Sequence, residues 1–258
     1  MNPFIIFDVK GLDGISVQGE VQEFVTSSCD NIEAIGFILD DHNIVGIKVR
    51  FPAKTVIDKK LIDNTYQIVE LFLASIIGEL DVVANGYTLK TGQVYNPNLP
   101  PTEGPIIVSD ILMKCDSLSV TCSYPLESYE KLFLALPIDN NTRDKILVFS
   151  NIMKIDNIAI RYLMQYEFLM SLVAPHRVQK EVTDFIRDTY NPTLAFNFIG
   201  FHPTRKPGKT FDEDDISYYR NILAHNDSSA IPDNFEKVIA NMSKAATKVI
   251  FFALKQSP

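Results

Sequence analysis

The sequence predicts an α+β protein: a mixed strand-and-helix part first, then an all-helical bundle. Three observations carry this. Residues 3–57 read as strands, from short apolar runs and a period-two alternation over Ile15 to Val21. The apolar period then changes to three and four over residues 58–80. From about Tyr124 onward only helical spacing recurs, interrupted by Pro, Asn and Gly clusters. The chain is therefore read as two domains, residues 1–124 and residues 125–258.

In the first part, Phe4-Ile5-Ile6-Phe7 is a short apolar run closed by Lys10-Gly11. Ile15 to Val21 alternates as a strand with one wet face would. Ala34 to Leu39 and Ile44 to Phe51 flank the polar turn Asp40-Asp41-His42-Asn43 and predict a hairpin, with His42 as an ordinary turn residue. Leu61, Ile62, Tyr66, Val69, Phe72, Leu73, Ile76 and Ile77 predict a helix over 58–80, with Asp58 as N-cap and Gly78 near its stop. Residues 81–123 return to short extended pieces, among them Ile106 to Leu112 and Leu118 to Cys122, around a Pro-rich loop at 96–105. Gly11-Leu12-Asp13-Gly14 lacks the Lys-Ser/Thr of a phosphate loop, and no carboxylates or histidines cluster. This part reads as a small binding or positioning domain whose ligand the residues do not name.

In the second part, Ser128 to Leu136 predicts a short helix, followed by a loop with Thr142 as N-cap. One long helix is expected from about Arg143 to Val173, roughly 45 Å at 1.5 Å per residue, ended by Ala174-Pro175. Another spans His176 to Tyr190 and ends at Asn191-Pro192, with His176 exposed at its start. Residues 191–211 read as a long connection that contains His202 and the basic run Arg205, Lys206 and Lys209, candidates for phosphate contact. Thr210 and Glu213 fit a capping box for the next helix, and the acidic run Asp212-Glu213-Asp214-Asp215 suits a helix N-terminus better than a metal site. Asp233 is expected to cap a final amphipathic helix from Phe235 to Phe252.

Composition sets the broad class. With 46% apolar and 22% charged side chains in 258 residues, there is enough apolar material for one large core or two ordinary ones. The net charge of −8 argues against bulk coating of nucleic acid, and no DNA partner is expected. Residues 1–125 carry 8 Lys and Arg against 16 Asp and Glu, whereas residues 126–258 carry 16 of each, so the second half can still present a basic groove. Cys29, Cys115 and Cys122 have no Cys or His at finger spacing and read as small buried hydrophobes; no metal or other cofactor is expected. The stretch MNPFIIFDVK has neither the basic start nor the long apolar run of a signal peptide, and no uncharged apolar stretch reaches the ~18 residues of a membrane span. A reducing, cytoplasmic setting without membrane attachment is the expectation.

The candidate chemistry lies in Arg220, Asn221 and His225. Arginine stays charged and offers a planar fork of donors to phosphate oxygens. Histidine takes or gives a proton near neutral pH. In RNA the 2′-hydroxyl is an internal nucleophile, so a base, an acid and a charge clamp suffice for cleavage, and Asn221 can hold the phosphate or fix the imidazole. Five residues turn an ideal helix through about 500°, which leaves Arg220 and His225 roughly 140° apart. Either the helix ends near Leu223 and His225 swings back, or two copies of the helix build the site together.

Arg220-Asn221-Ile222-Leu223-Ala224-His225 resembles the Arg-polar-x3-His motif of HEPN domains. The stretch Arg161-Tyr162-Leu163-Met164-Gln165-Tyr166-Glu167 is similar to that family's early core helix, and the motif precedes the last helix, as it does there. The resemblance covers roughly residues 125–257. It implies a helical bundle, a homodimer, and metal-independent endoribonuclease activity with Arg and His of both chains at the interface. Arg220 would then stabilise the phosphorane charge, His225 would act as general base or acid, and Asn221 would support both. RNA would be the substrate, and a toxin or defence effector with a sensing N-terminal domain is one setting. Members regulated by tyrosine AMPylation carry Tyr two residues past the His; Asp227 stands here, so that regulation is not expected. The other reading is a non-catalytic protein whose helical part dimerises while the N-terminal part recruits a ligand or partner.

Overall fold

In the computed structural model the chain forms two compact units, Met1–Arg143 and Asp144–Pro258. The structure describes residues 2–13, 15–18, 23–26, 31–40, 43–80, 83–98, 122–136, 139–196, 198–204, 211–225 and 234–256. Among these residues no helix is long and apolar enough to cross a membrane. His42, Cys29, Cys115, the expected strand at Ile106 to Leu112, the phosphate-contact candidates Arg205, Lys206 and Lys209, and Thr210, Asp227 and Asp233 lie outside the described residues.

The first unit contains β1 (Phe4–Asp13), β2 (Ile15–Gln18), β3 (Glu23–Val25), β4 (Ala34–Asp40), β5 (Asn43–Arg50), α1 (Lys59–Glu79), β6 (Val83–Tyr95), β7 (Cys122–Pro125) and α2 (Leu126–Leu134). Five strands form an antiparallel sheet in the order β3-β4-β5-β1-β6. The predicted hairpin is β4–β5, with Asp40 opposite Asn43. Ile5, Phe7, Ile35, Ile47 and Val49 are fully buried because alternate residues of a strand share one face. Phe72 of α1 meets Phe37 and Phe24 of the sheet, and Phe133 of α2 stacks edge-on against Phe72 at 5.3 Å. Each such buried ring removes enough apolar surface from water to stabilise by about 2–3 kcal/mol. Tyr129 of α2 donates to the Ser16 carbonyl at 2.7 Å, so α2 belongs to this unit.

Several boundaries differ from the sequence reading. β1 does not close at Lys10-Gly11: a register shift between Lys10 and Leu12 carries it on, with Gly11 at φ 78°. Such a bulge needs a residue that tolerates the left-handed region. Asp58 caps α1 as expected, accepting from the Leu61 amide at 2.7 Å, but Gly78 lies inside the last turn. The piece beginning at residue 83 is one strand of 13 residues; β7 runs over Cys122–Pro125, parallel to β2, and the rest of the strand expected over Leu118 to Cys122 lies outside the described residues.

The second unit contains α3 (Asn140–Met153), which starts just before it, α4 (Ile158–Val173), α5 (Gln179–Phe185), β8 (Phe201–Pro203), β9 (Asp212–Asp214), α6 (Asp215–His225) and α7 (Phe235–Gln256). The single long helix expected from Arg143 to Val173 is two helices. Asn157 breaks it, its side chain accepting from the Ala159 and Ile160 amides at 3.0 Å each, while Arg161 donates to the Ile155 carbonyl at 3.0 Å. An Asn that caps a new helix competes with continuing the old one. The helix expected over His176 to Tyr190 begins at Gln179 and widens to π geometry over Ile186–Tyr190. The unit is also not all-helical. β8, inside the expected connection, and β9, at the expected start of the next helix, form an antiparallel ribbon, and three-residue strands are too short to show a period. Glu213 is consequently a strand residue rather than the third residue of a capped helix.

α4 and α7 supply the core of this unit, with Tyr162, Tyr166, Leu169, Ala246, Val249 and Ile250 buried. Gln165 ties them together, donating to Thr247 at 2.9 Å and accepting from Ser243 at 2.7 Å. Both bonds are buried, so each polar group is satisfied where water cannot reach it.

Candidate functional site

α6 carries the motif, and its position is fixed from its first residue. Asp214, fully buried, accepts from the Ser217 amide at 2.9 Å and from the Thr183 hydroxyl at 2.7 Å, which is how an aspartate caps a helix N-terminus. Burial holds the Asp214 carboxyl above its ordinary range, against the opposing pull of the Ser217 and Thr183 hydrogen bonds. The Tyr162 hydroxyl donates to the Ile216 carbonyl, and Tyr166 bonds the Ser217 hydroxyl at 3.1 Å. Burial raises both phenol pKa values well above the usual range, so these rings remain neutral hydrogen-bonding pegs.

Arg220 and Asn221 emerge together at one end of a polar chain. The Arg220 guanidinium donates to Glu167 on α4 at 2.7 Å and to the Asn221 side-chain oxygen at 3.3 Å. It also lies over the Tyr166 ring, 5.1 Å from the centroid. Its Nε is buried without an acceptor among the described residues, yet the side chain as a whole is 27% exposed. The Asn221 amide nitrogen donates to Gln179 and to Glu213, each at 3.1 Å. Glu213 is buried and takes a further bond from the Thr204 hydroxyl at 2.6 Å. An amide is therefore what the position after Arg220 requires: its oxygen faces a cation and its nitrogen faces a carboxylate.

His225 does not join them. α6 stays helical to His225, so the helix does not end at Leu223 and the imidazole does not swing back. On that helix His225 lies about 7.5 Å further along the axis and roughly 140° around from Arg220. It is exposed, and its imidazole makes no hydrogen bond among the described residues. Of the three motif residues, one chain brings Arg220 and Asn221 together and leaves His225 on another face.

A second imidazole sits on the ribbon. His202 Nε2 lies 2.6 Å from Asp215 Oδ1, and the other Asp215 oxygen accepts from the Gly200 amide at 2.8 Å. A Cβ on Gly200 would fall 2.9 Å from that oxygen, so a larger residue there would push the Asp215 carboxylate aside. The Tyr218 ring stacks on His202 with centroids 4.2 Å apart, and Tyr219 meets it edge-on at 6.3 Å. Phe196 and Phe198, on the segment leading to β8, are 72% and 60% exposed. The sequence offered little signal for these groups: Glu167 and Glu213 reach the motif only through helix packing and strand pairing, and His202 meets α6 at Asp215, Tyr218 and Tyr219. Among the described residues no three His, Cys, Asp or Glu side chains are grouped as a metal site needs.

No family model, curated protein or solved structure matches this chain.

Proposed function

We propose that the second unit is a HEPN-type endoribonuclease acting as a homodimer without metal, on single-stranded or looped RNA. The observation that carries this reading is the partly buried Arg220 side chain, aimed by Glu167, Asn221 and the Tyr166 face on a helix pinned at its start. A fixed planar cation suits a phosphate whose charge rises during in-line attack. The exposed Phe196 and Phe198 rings support RNA over a small phosphate ester, because bases stack on such faces. In this reading the 2′-oxygen attacks phosphorus, the bond to the 5′-oxygen breaks, and the products carry 2′,3′-cyclic phosphate and 5′-hydroxyl ends. Arg220 binds the phosphate oxygens, Asn221 holds Arg220, and His225 of a second copy transfers a proton.

One contact favours the other reading. Glu167 neutralises Arg220 at 2.7 Å, as an ion pair in a non-catalytic dimerisation module would. Cleavage of mixed tRNA and single-stranded RNA in EDTA, beside His225→Ala, separates the two. Metal-independent cutting with cyclic phosphate ends, reduced about 100-fold or more in the variant, is expected. A well-folded protein that cuts no RNA selects the binding module, and a variant that cuts equally well removes His225 from the reaction.

A further inference from the structure

Arg220 faces solvent already paired with a carboxylate of its own chain. We infer that Glu167 is an intrachain competitor for the Arg220 guanidinium, a brake that an RNA phosphate displaces on binding; the inference rests on the ribonuclease reading above and gives that site a resting state.

The donors of Arg220 come first. A guanidinium offers a planar fork of N–H groups. Its Nε is buried without an acceptor among the described residues, which leaves the two terminal nitrogens for a phosphate. Of these, Nη2 donates to Glu167 at 2.7 Å and Nη1 donates to the Asn221 side-chain oxygen at 3.3 Å. The Tyr166 ring, 5.1 Å from the guanidinium carbon, lies against one face. Each terminal nitrogen keeps a second hydrogen, but a phosphate that takes the one on Nη2 comes up beside the Glu167 carboxylate. Like charges so close oppose each other.

The two acceptors differ in how firmly they are held. Asn221 is fixed, because its nitrogen donates to Gln179 and to the buried Glu213. Glu167 is not. Its side chain is 44% exposed, and Arg220 is its one hydrogen-bond partner among the described residues. A partly exposed ion pair is weak, since water competes for both charges. Glu167 can therefore turn into solvent while Asn221 and Tyr166 keep Arg220 aimed.

Charge sets the threshold. Arg220 brings one positive charge to a cluster that also holds the Glu167 and Glu213 carboxylates. With Glu167 in place the cluster attracts a phosphate poorly; with Glu167 turned away the balance moves by one charge in the phosphate's favour. A strand with several phosphates has other contacts to hold it during the exchange, and a lone phosphate has none.

The test is binding of a single-stranded 2′-O-methyl oligonucleotide, which lacks the attacking hydroxyl. Fluorescence anisotropy in EDTA compares the full chain with Glu167→Gln, Arg220→Ala and the double variant, with thermal midpoints and cleavage of unmodified RNA measured alongside. Glutamine keeps an oxygen for the Arg220 hydrogen bond and removes the charge. Glu167→Gln is expected to lower Kd about threefold to tenfold at about 50 mM salt, and the gain should shrink at about 300 mM, because exposed charges are screened. In the Arg220→Ala background the gain should all but disappear. A Glu167 that only stabilised the fold would give a lower melting temperature and no gain in affinity. Should Glu167→Gln melt far below wild type, Glu167→Ala replaces it, and tighter binding is again expected. Unchanged or weaker binding, while wild type cuts RNA and Arg220→Ala does not, overturns the brake and leaves the ribonuclease reading standing. So does a gain that ignores salt or persists in full without Arg220, because it would not arise from competition for the guanidinium. A folded wild type that cuts no RNA removes the ribonuclease reading and the brake with it.

Discussion

At the scale of the residue, Asn221 shows why a motif position is polar. Its amide lies between the Arg220 guanidinium and the buried Glu213 carboxylate and satisfies both. Asn221→Ala leaves one Glu213 oxygen short of a donor, at a cost of about 1–3 kcal/mol. Asn221→Asp is expected to be worse near neutral pH, because it sets a second carboxylate against Glu213, and to recover toward the alanine variant as the pH falls and one of the two is protonated. Thermal melts of the two variants at pH 7 and pH 4.5 check this; an aspartate variant as stable as wild type at pH 7 would mean the Glu213 contact is not maintained in solution. Residue type alone suggested that Asn221 holds the phosphate or fixes the imidazole, and the structure adds its contact with Arg220. The sequence could not reveal Glu213 as the partner, because the acidic run 212–215 reads as four equivalent carboxylates. The fold assigns them separate tasks: Asp214 caps α6, Asp215 holds His202, Glu213 holds Asn221, and Asp212 lies 3.6 Å from Arg187.

At the scale of the element, α6 depends on a cap that the sequence misplaced by several residues. Asp214 titrates upward of its ordinary range in the folded protein because burial penalises its charge. The folded state therefore binds this proton more tightly than the unfolded chain does. Its contribution to stability is fully present below the unfolded aspartate pKa of about 3.9 and is lost as pH rises through the shifted value. Asp214→Asn keeps the acceptor for Ser217 and removes the titration. The melting temperature of wild type relative to Asp214→Asn should then rise as pH is lowered from 7 to 4, and a flat or falling difference across that range would refute the assignment. The same scale explains what was legible. α1 and α7 are long and strongly periodic, and the β4–β5 hairpin has a polar turn between two apolar runs, so all three stand where the pattern put them. The α3–α4 break and the β8–β9 ribbon were hidden because each depends on a few residues: one Asn cap in the first case, and in the second a Gly that admits a carboxylate. Replacing Asn157 with Ala should cost about 1 kcal/mol by urea unfolding, and no change would show that the break is held elsewhere.

At the scale of the whole molecule, the regularity of α6 decides how a catalytic site can be assembled. Because the helix runs unbroken through His225, Arg220 and His225 of one chain point about 140° apart and cannot flank a single phosphate. If the proposed reaction uses both, the histidine comes from a second copy. The surface next to Arg220 suits such a contact: Ile160 and Met164, one turn apart on α4, are 53% and 45% exposed. In a two-fold dimer each Arg220 would meet the partner's His225, so each site takes one residue from each chain. Mixing inactive Arg220→Ala with inactive His225→Ala then regenerates one intact site in every mixed dimer and leaves the other doubly defective. With complete random exchange of subunits, half the dimers are mixed and activity returns to about a quarter of wild type. Exchange can be verified independently by pulling down one tagged variant and detecting the other. Recovery near a quarter supports a site shared between copies, with Arg220 contributed by one chain and His225 by the other. Verified exchange without recovery would mean that the two residues do not act across the interface, and that the imidazole serving Arg220 belongs to its own chain.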